Sequence, residues 1–382
     1  MVTNGASSSR WLSIEEGDNY VDVEEKQLPY TQRRILGSGG CSVVDEVEDR
    51  TTGRVFARKV FIPKTRNRRR MKELFDNELK VVQSLKHHHH IIRIFATYTV
   101  KETGVLALLL TPVADGGDLD NYLDKFSTYL LSDRLKNSAQ ILTMGYTLYN
   151  AFGCLAAGLA FMHKNKIRHK DIKAQNILIH QGRVLYTDFG LSFDSNMCEN
   201  STTEGPTDMT RKYAAPEVLA GEPRNSSSDV YSLGCVFIEI SAALHKPLHH
   251  DDIHRFSASM DAIHEKLSTR NDCPSEMSFI PRVILEMTSR HPPSRWTADH
   301  VWKTCAKYLL FVCDDCQYVS SDADMKDMKD MDQIPASRNS YYTPWTWSDT
   351  HNRHYSYFMS PDGRRLDTIW SGPPTGNPVT PT

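Results

Sequence analysis

One change of periodicity governs what this chain can fold into. Between residues 30 and 110 the apolar positions come in short alternating or continuous runs separated by turn signals; after Asp115-Gly116-Gly117-Asp118 they recur at helical spacing. The early runs, at 34–37, 43–47 and 55–61, with Thr51-Thr52-Gly53 between the last two, predict an antiparallel meander of short strands. A helix is predicted over 66–86, with Leu74, Glu78, Val81, Val82 and Leu85 on one face, before strands resume at 91–98 and 106–110. Beyond the change, helices are predicted at 153–164 and 229–244. Strands first and helices after them predict an α+β chain with a β-rich lobe and a helical lobe.

Composition sets the boundaries. Residues 1–28 are polar and acidic without a persistent period and are predicted to be a loose tail, which leaves 29–111 for the first lobe and 112–312 for the second. Between Asp314 and Asp332 there are seven Asp and two Lys, so 313–340 is predicted to be a solvated acidic linker. Residues 341–375 regain order signals: Trp345, Trp347 and Trp370, the run Tyr355-Ser356-Tyr357-Phe358, and a Pro361-Asp362-Gly363 turn. Their spacing resembles a degenerate WW module, a three-strand sheet that takes proline-rich peptides. An aromatic extension packed on the preceding domain is the alternative, and 376–382 is predicted to be disordered.

The 45 basic and 47 acidic residues give a net charge of −2, which argues against a whole-molecule field for nucleic acid or an anionic membrane. The most apolar stretch, 230–244, is broken by Glu239. Eight scattered cysteines predict a reducing compartment, hence a cytoplasmic or nuclear protein, expected to be a monomer. Val2 in place of Gly and the Pro381-Thr382 terminus offer neither a myristoylation nor a prenylation signal.

Three sets of residues carry chemistry. Leu36-Gly37-Ser38-Gly39-Gly40-Cys41-Ser42-Val43-Val44 falls in a turn between predicted strands, where glycines let backbone amides approach phosphate closely. A Rossmann loop would need a helix next and a P-loop its lysine; neither follows, and a purely structural hairpin fits the same residues. Lys59 shares a strand face with Ala57, and a lysine on an apolar strand needs a partner. Glu78 on the next helix is a candidate, against the alternative of two unrelated surface charges. The third set runs through His169-Lys170-Asp171-Ile172-Lys173-Ala174-Gln175-Asn176 to Asp188-Phe189-Gly190.

Taken in order, these segments resemble the eukaryotic Ser/Thr protein kinases, with a catalytic loop close to H-R-D-x-K-x-x-N, then D-F-G, after a Gly-rich loop, a strand lysine and a helix glutamate. Ala215-Pro216-Glu217, Asp229 and Arg295 fit the same pattern, so the resemblance covers about 30–311, and it is similar also to kinases expanded in filamentous fungi. It implies a bilobal kinase fold using ATP and Mg2+. Lys59, oriented by Glu78, would hold the α- and β-phosphates, Asp188 and Asn176 the Mg2+, and Lys173 the γ-phosphate. Asp171 would accept the proton of the substrate hydroxyl. The glycine loop, from Leu36 to Val44, would cover the phosphates; Val44, Ala57 and Leu178 would flank the adenine, beside Thr111 as gatekeeper and Pro112 and Ala114 as hinge. Lys173 and Thr210 resemble kinases whose partners are protein substrates with Ser or Thr acceptors.

The departures are small. Ser42 replaces the third glycine and Cys41 an aromatic at the loop tip. Lys170 replaces an arginine that in the family reads a phosphate on the activation segment. An acidic residue such as Glu204 is expected to engage Lys170, making activation only partly dependent on phosphorylation. The rival from another class is a pseudokinase scaffold; Lys59, Asp171 and Asp188, whose loss usually marks one, are all retained.

Three further features are read as bland. His87 to His90 falls where kinases carry a turn between helix and strand. Cys313-Asp314-Asp315-Cys316 has zinc-like spacing without a second pair, which favours incidental thiols. The six positive charges between Lys64 and Lys72 are expected on a solvated helix face that the acidic linker could shield.

Overall fold

The computed structural model describes residues 11–38, 42–63, 68–85, 88–132, 138–194, 211–222, 225–245, 256–269 and 277–317, together with strands between 341 and 370. The first lobe is a six-stranded sheet built from β1 (Asn19–Val23), β2 (Tyr30–Ser38), β3 (Ser42–Asp49), β4 (Val55–Phe61), β5 (Arg93–Val100) and β6 (Leu106–Thr111), in the order β1-β5-β6-β4-β3-β2. All its pairings are antiparallel except β1 with β5. Helix α1 (Arg68–Ser84) covers one face, burying Met71, Phe75, Glu78, Val81 and Val82. Its basic end is a solvated face with Arg69–Glu73 and Lys72–Asp76 pairs one turn apart.

The continuous apolar run of β6 has a structural cause. Leu108 and Leu110 point into the core under α1, while Ala107 and Leu109 point into a second cluster on the opposite face with Phe56, Phe95 and Tyr98. That second face is closed by the segment predicted to be a loose tail. Ile14 and Val23 are buried in it, Leu12 N–H donates to the Gln27 carbonyl at 2.8 Å, and Asp22 N–H to Thr99 Oγ1 at 2.7 Å. The expectation of disorder across 1–28 is therefore corrected for 11–28: its polar residues face solvent, and a few apolar ones seal the sheet. Ile14→Ala is expected to cost about 2 kcal/mol, the lower end for emptying a buried aliphatic site; equilibrium unfolding in urea measures it, and an unchanged midpoint would restore the loose-tail reading.

The second lobe is helical. Its small strands β7 (Gly117–Asp118), β8 (Ile167–Arg168), β9 (Ile177–His180), β10 (Arg183–Tyr186) and β11 (Phe193–Asp194) pair as β10-β9-β7 and β11-β8. Its helices are α2 (Leu119–Leu131), α3 (Ser138–Lys164), α4 (Pro216–Leu219), α5 (Ser226–His245), α6 (Phe256–Ser268), α7 (Ile280–Met287) and α8 (Ala298–Cys305). Helices α3 and α5 meet through an edge-to-face Phe152–Phe237 contact at 4.9 Å. By length and composition α5 would suit a membrane span, yet 78% of its apolar window is buried inside the lobe. Glu239, which breaks that run in the sequence, accepts from Tyr213 Oη at 2.9 Å and pairs with Lys212 at 2.6 Å.

The lobe extends past 312, which corrects the proposed start of the acidic linker. Phe311, Val312 and Cys316 are buried against α3, so closely that a Cβ on Gly153 would clash with the Phe311 carbonyl oxygen. Asp315 pairs with Arg183 of β10 at 2.6 Å, not with the basic end of α1. Farther on, β12 (Tyr341–Tyr342), β13 (Thr346–Ser348), β14 (Arg353–Met359) and β15 (Arg365–Trp370) form an antiparallel sheet. Because Tyr355 pairs with both Thr346 and Trp370, and Phe358 with both Tyr342 and Asp367, β12 and β13 lie along one edge of β14 and β15 along the other.

Candidate active site

The alternation of β4 sends Ala57, Lys59 and Phe61 to the face that meets α1, and Phe56 to the outer one. On α1, Glu78 points inward with no exposure at all. Lys59 Nζ accordingly lies 2.9 and 2.6 Å from the two Glu78 carboxylate oxygens and 2.8 Å from Asp188 Oδ1. Burial by itself would lower the pKa of Lys59, but Glu78 and Asp188 outweigh it and hold the ammonium above its ordinary value. Burial pushes the Glu78 carboxyl up and Lys59 only partly offsets this, so the charge on Glu78 depends on the lysine staying in place. Lys59 holds Asp188 below the usual carboxylate range.

Asp188 sits at φ 63°, a left-handed backbone that turns it out of the line of β10. Phe189 beside it is fully buried, its ring 4.8 Å from that of His169. Asn77, the neighbour of Glu78 on α1, donates its amide toward the carbonyls of Phe189 (3.2 Å), Gly190 (3.0 Å) and Ser192 (3.0 Å). One helix thus positions both the lysine's partner and the backbone that carries Asp188. No sequence signal marks Asn77, because its acceptors are main-chain atoms far along the chain. Asn77→Ala is expected to lower kcat/KM about tenfold, the value of roughly one net hydrogen bond, with the thermal midpoint near that of the wild type. Unchanged kinetics would remove it from the site.

The loop after β8 hangs from α5. Asp229 accepts from the N–H groups of His169 and Lys170, both at 2.9 Å, and from His163 Nε2 at 3.1 Å. Burial opposes the charge on Asp229, yet these donors keep its carboxyl below the usual range. His169 Nε2 donates to the Thr187 carbonyl at 3.0 Å, tying this loop to the residue before Asp188. Asp171, 9% exposed, accepts from Lys173 Nζ at 2.7 Å and from the Asn176 amide at 3.0 Å. The same amide donates to the Asp171 carbonyl at 2.8 Å, which leaves the Asn176 side-chain oxygen as its acceptor. Hard oxygens on Asn176 and on Asp188, whose side chain is 48% exposed, are the donor chemistry a Mg2+ ion takes.

The remaining residues of the candidate site frame the same cleft. Leu36, Gly37 and Ser38 end β2, and Ser42, Val43 and Val44 open β3, with Ser38 paired to Val43; Gly39, Gly40 and Cys41 lie outside the described residues. Val44 pairs with Lys59, and Ala57 with Leu110, so Val44 and Ala57 share the cleft face. Leu178 on β9 is partly buried against the same core. Thr111 ends β6, and half-buried Pro112 and Ala114 connect the lobes. Glu217 and Arg295 form a two-pronged pair at 2.7 and 2.8 Å. Thr210 and Glu204 lie outside the described residues.

Comparison with known proteins gives the same class. The Protein kinase domain family profile matches residues 30–305, and the chain belongs to that family. It is similar to mitogen-activated protein kinase kinase kinase A of Dictyostelium discoideum, 31% identical over 231 residues, 58% of this chain and 22% of that protein. Calcium/calmodulin-dependent protein kinase type 1 of Caenorhabditis briggsae is 29% identical over 212 residues, 54% of this chain and 53% of that protein. Stress-activated protein kinase JNK of Suberites domuncula is 29% identical over 242 residues, 61% and 59% respectively. The chain spans between about a fifth and three fifths of the length of these relatives.

Proposed function

We propose that the protein transfers the γ-phosphoryl group of ATP to Ser or Thr hydroxyls of protein substrates. The observation that carries this is the closed Lys59–Glu78–Asp188 set, reached through Thr187 and His169 from a loop that presents Asp171 and Lys173. ATP brings the group to be transferred and Mg2+ offsets the charge of its phosphates. Lys59 would bind the α- and β-phosphates, and Asp188 and Asn176 would hold the metal. Asp171 orients the acceptor hydroxyl and takes its proton onto a carboxylate oxygen. Lys173, 2.7 Å from that carboxylate, adds positive charge where the transferred group gathers negative charge. The lysine two residues after Asp171, together with relatives that include a Ser/Thr-protein kinase H1 homolog, supports Ser and Thr as acceptors.

The test is Mg2+-dependent transfer of labelled γ-phosphate to a mixed Ser, Thr and Tyr peptide library. Incorporation on Ser or Thr supports the reading. Tyr-only incorporation would overturn the acceptor class, and ATP binding without any transfer would favour the scaffold.

A further inference from the structure

Two motifs that the active site does not use meet in the fold. His89 and His90 lie in the turn between α1 and β5, and Cys313 and Cys316 bracket a single 3-10 turn at the end of the second lobe. They are more than 220 residues apart in the chain, yet one ligand atom from each lies within 4.8 Å of all the others. His89 Nε2 is 3.2 Å from Cys316 Sγ and 3.8 Å from Cys313 Sγ, and His90 Nε2 is 3.4 Å from Cys313 Sγ. A tetrahedral zinc ion, with Zn–S about 2.3 Å and Zn–N about 2.0–2.1 Å, sets sulfur and nitrogen ligands about 3.5 Å apart. The three separations bracket that edge. The fold supplies the second pair that the Cys-X-X-Cys spacing lacked.

The surroundings are those of a built site. His90 Nδ1 donates to the Val184 carbonyl at 2.6 Å, which fixes the proton on Nδ1 and leaves the Nε2 lone pair facing Cys313. Trp302 Nε1 donates to the Cys316 carbonyl at 2.9 Å, and the Asp315–Arg183 pair fastens the same turn. The Cys313 N–H donates to Cys154 Sγ at 3.2 Å, so a third sulfur backs the four without being one of them. His90 and Cys316 are buried, His89 and Cys313 half-buried. Two thiolates, formed by losing their protons to solvent, balance a divalent ion, so the filled site carries no net charge into the interior. Imidazole and thiolate together suit zinc, and four protein ligands close the coordination shell.

We propose that His89, His90, Cys313 and Cys316 bind one structural zinc ion. The ion staples the α1–β5 turn of the first lobe to the C-terminal end of the second. His90 is also the residue whose carbonyl accepts the Tyr186 N–H at 2.8 Å, so the staple lies against the end of β10, two residues before the candidate metal-binding Asp188.

Full-length protein, purified without a histidine tag or chelator, is expected to carry one zinc per chain by elemental analysis. Cys313→Ser/Cys316→Ser is expected to carry less than a tenth of that, and Cys235→Ala, altered within α5, to keep it. Should the double variant not fold, the wild type decides. After chelation its unfolding midpoint is expected to fall, and Co2+ is expected to give the intense visible absorption of tetrahedral coordination with a thiolate charge-transfer band. Zinc-free wild type that gives no such Co2+ spectrum would overturn the proposal, as would zinc retained by the folded double variant. A Cys313–Cys316 or Cys154–Cys313 disulfide in freshly purified, alkylated protein would overturn it too.

Discussion

Asp171→Asn is expected to lower kcat for peptide phosphorylation about 10²–10⁴-fold, the usual contribution of a positioned general base, with little change in the KM for ATP. The substitution keeps the volume of a side chain that is 9% exposed and can still accept from Asn176 through its amide oxygen. What it loses is the ability to take a proton and the charge that Lys173 pairs with at 2.7 Å. Asp229 and Asn176 hold the loop through other atoms, so the unfolding midpoint should stay close to that of the wild type. Steady-state kinetics beside a thermal melt measure both. A rate within a factor of ten of wild type would assign the base elsewhere.

Arg295→Leu is expected to destabilise the fold by about 3–5 kcal/mol, the cost of leaving one member of a buried ion pair alone. The Arg295 side chain is fully buried and that of Glu217 is 4% exposed. The guanidinium donates to both Glu217 oxygens, to the Ser289 carbonyl at 2.7 Å and to the Ser227 carbonyl at 3.2 Å, while Glu217 also accepts from Ser228 at 2.9 Å. Removing the arginine leaves the Glu217 carboxylate buried without its countercharge, and the Ser228 hydroxyl does not replace it. The double replacement Arg295→Leu/Glu217→Leu should recover much of the loss, since the stranded charge goes too. Denaturant midpoints for the wild type and the two variants settle this, and a loss below about 1 kcal/mol for Arg295→Leu would show that water reaches the pair. Burial raises the Glu217 carboxyl, but Arg295 outweighs it and holds it below its usual value. The pair's contribution is therefore complete above the ordinary carboxylate pKa and is lost as pH falls through the lower, folded value. Acid should narrow the gap between wild type and Arg295→Leu.

Much of the candidate site was legible because its members declare themselves locally. Strand alternation turned Lys59 toward the same face as Ala57, helical spacing put Glu78 on the packed face of α1, and the polar set from His169 to Asp188 occupies a short stretch whose spacing carries its own pattern. The change from strand to helical period fixed the two lobes for the same reason. The apolar run at 106–110 carries a further constraint: a strand apolar on both faces needs covering on both. A loose tail over 1–28 would leave the second face without its cover.

What only the tertiary structure decided depends on distances that no local rule encodes. Asn77 reaches carbonyls 112 to 115 residues away, Arg295 reaches Glu217 across 78, and the His89–His90 turn meets Cys313 and Cys316 across more than 220. Periodicity reports which face of an element is buried, and spacing within a motif reports which side chains can act together. Neither reports which distant turn will be pressed against that face. That is set by how α3 packs Phe311 and Val312 so closely on Gly153, and this packing brings two cysteines onto two histidines.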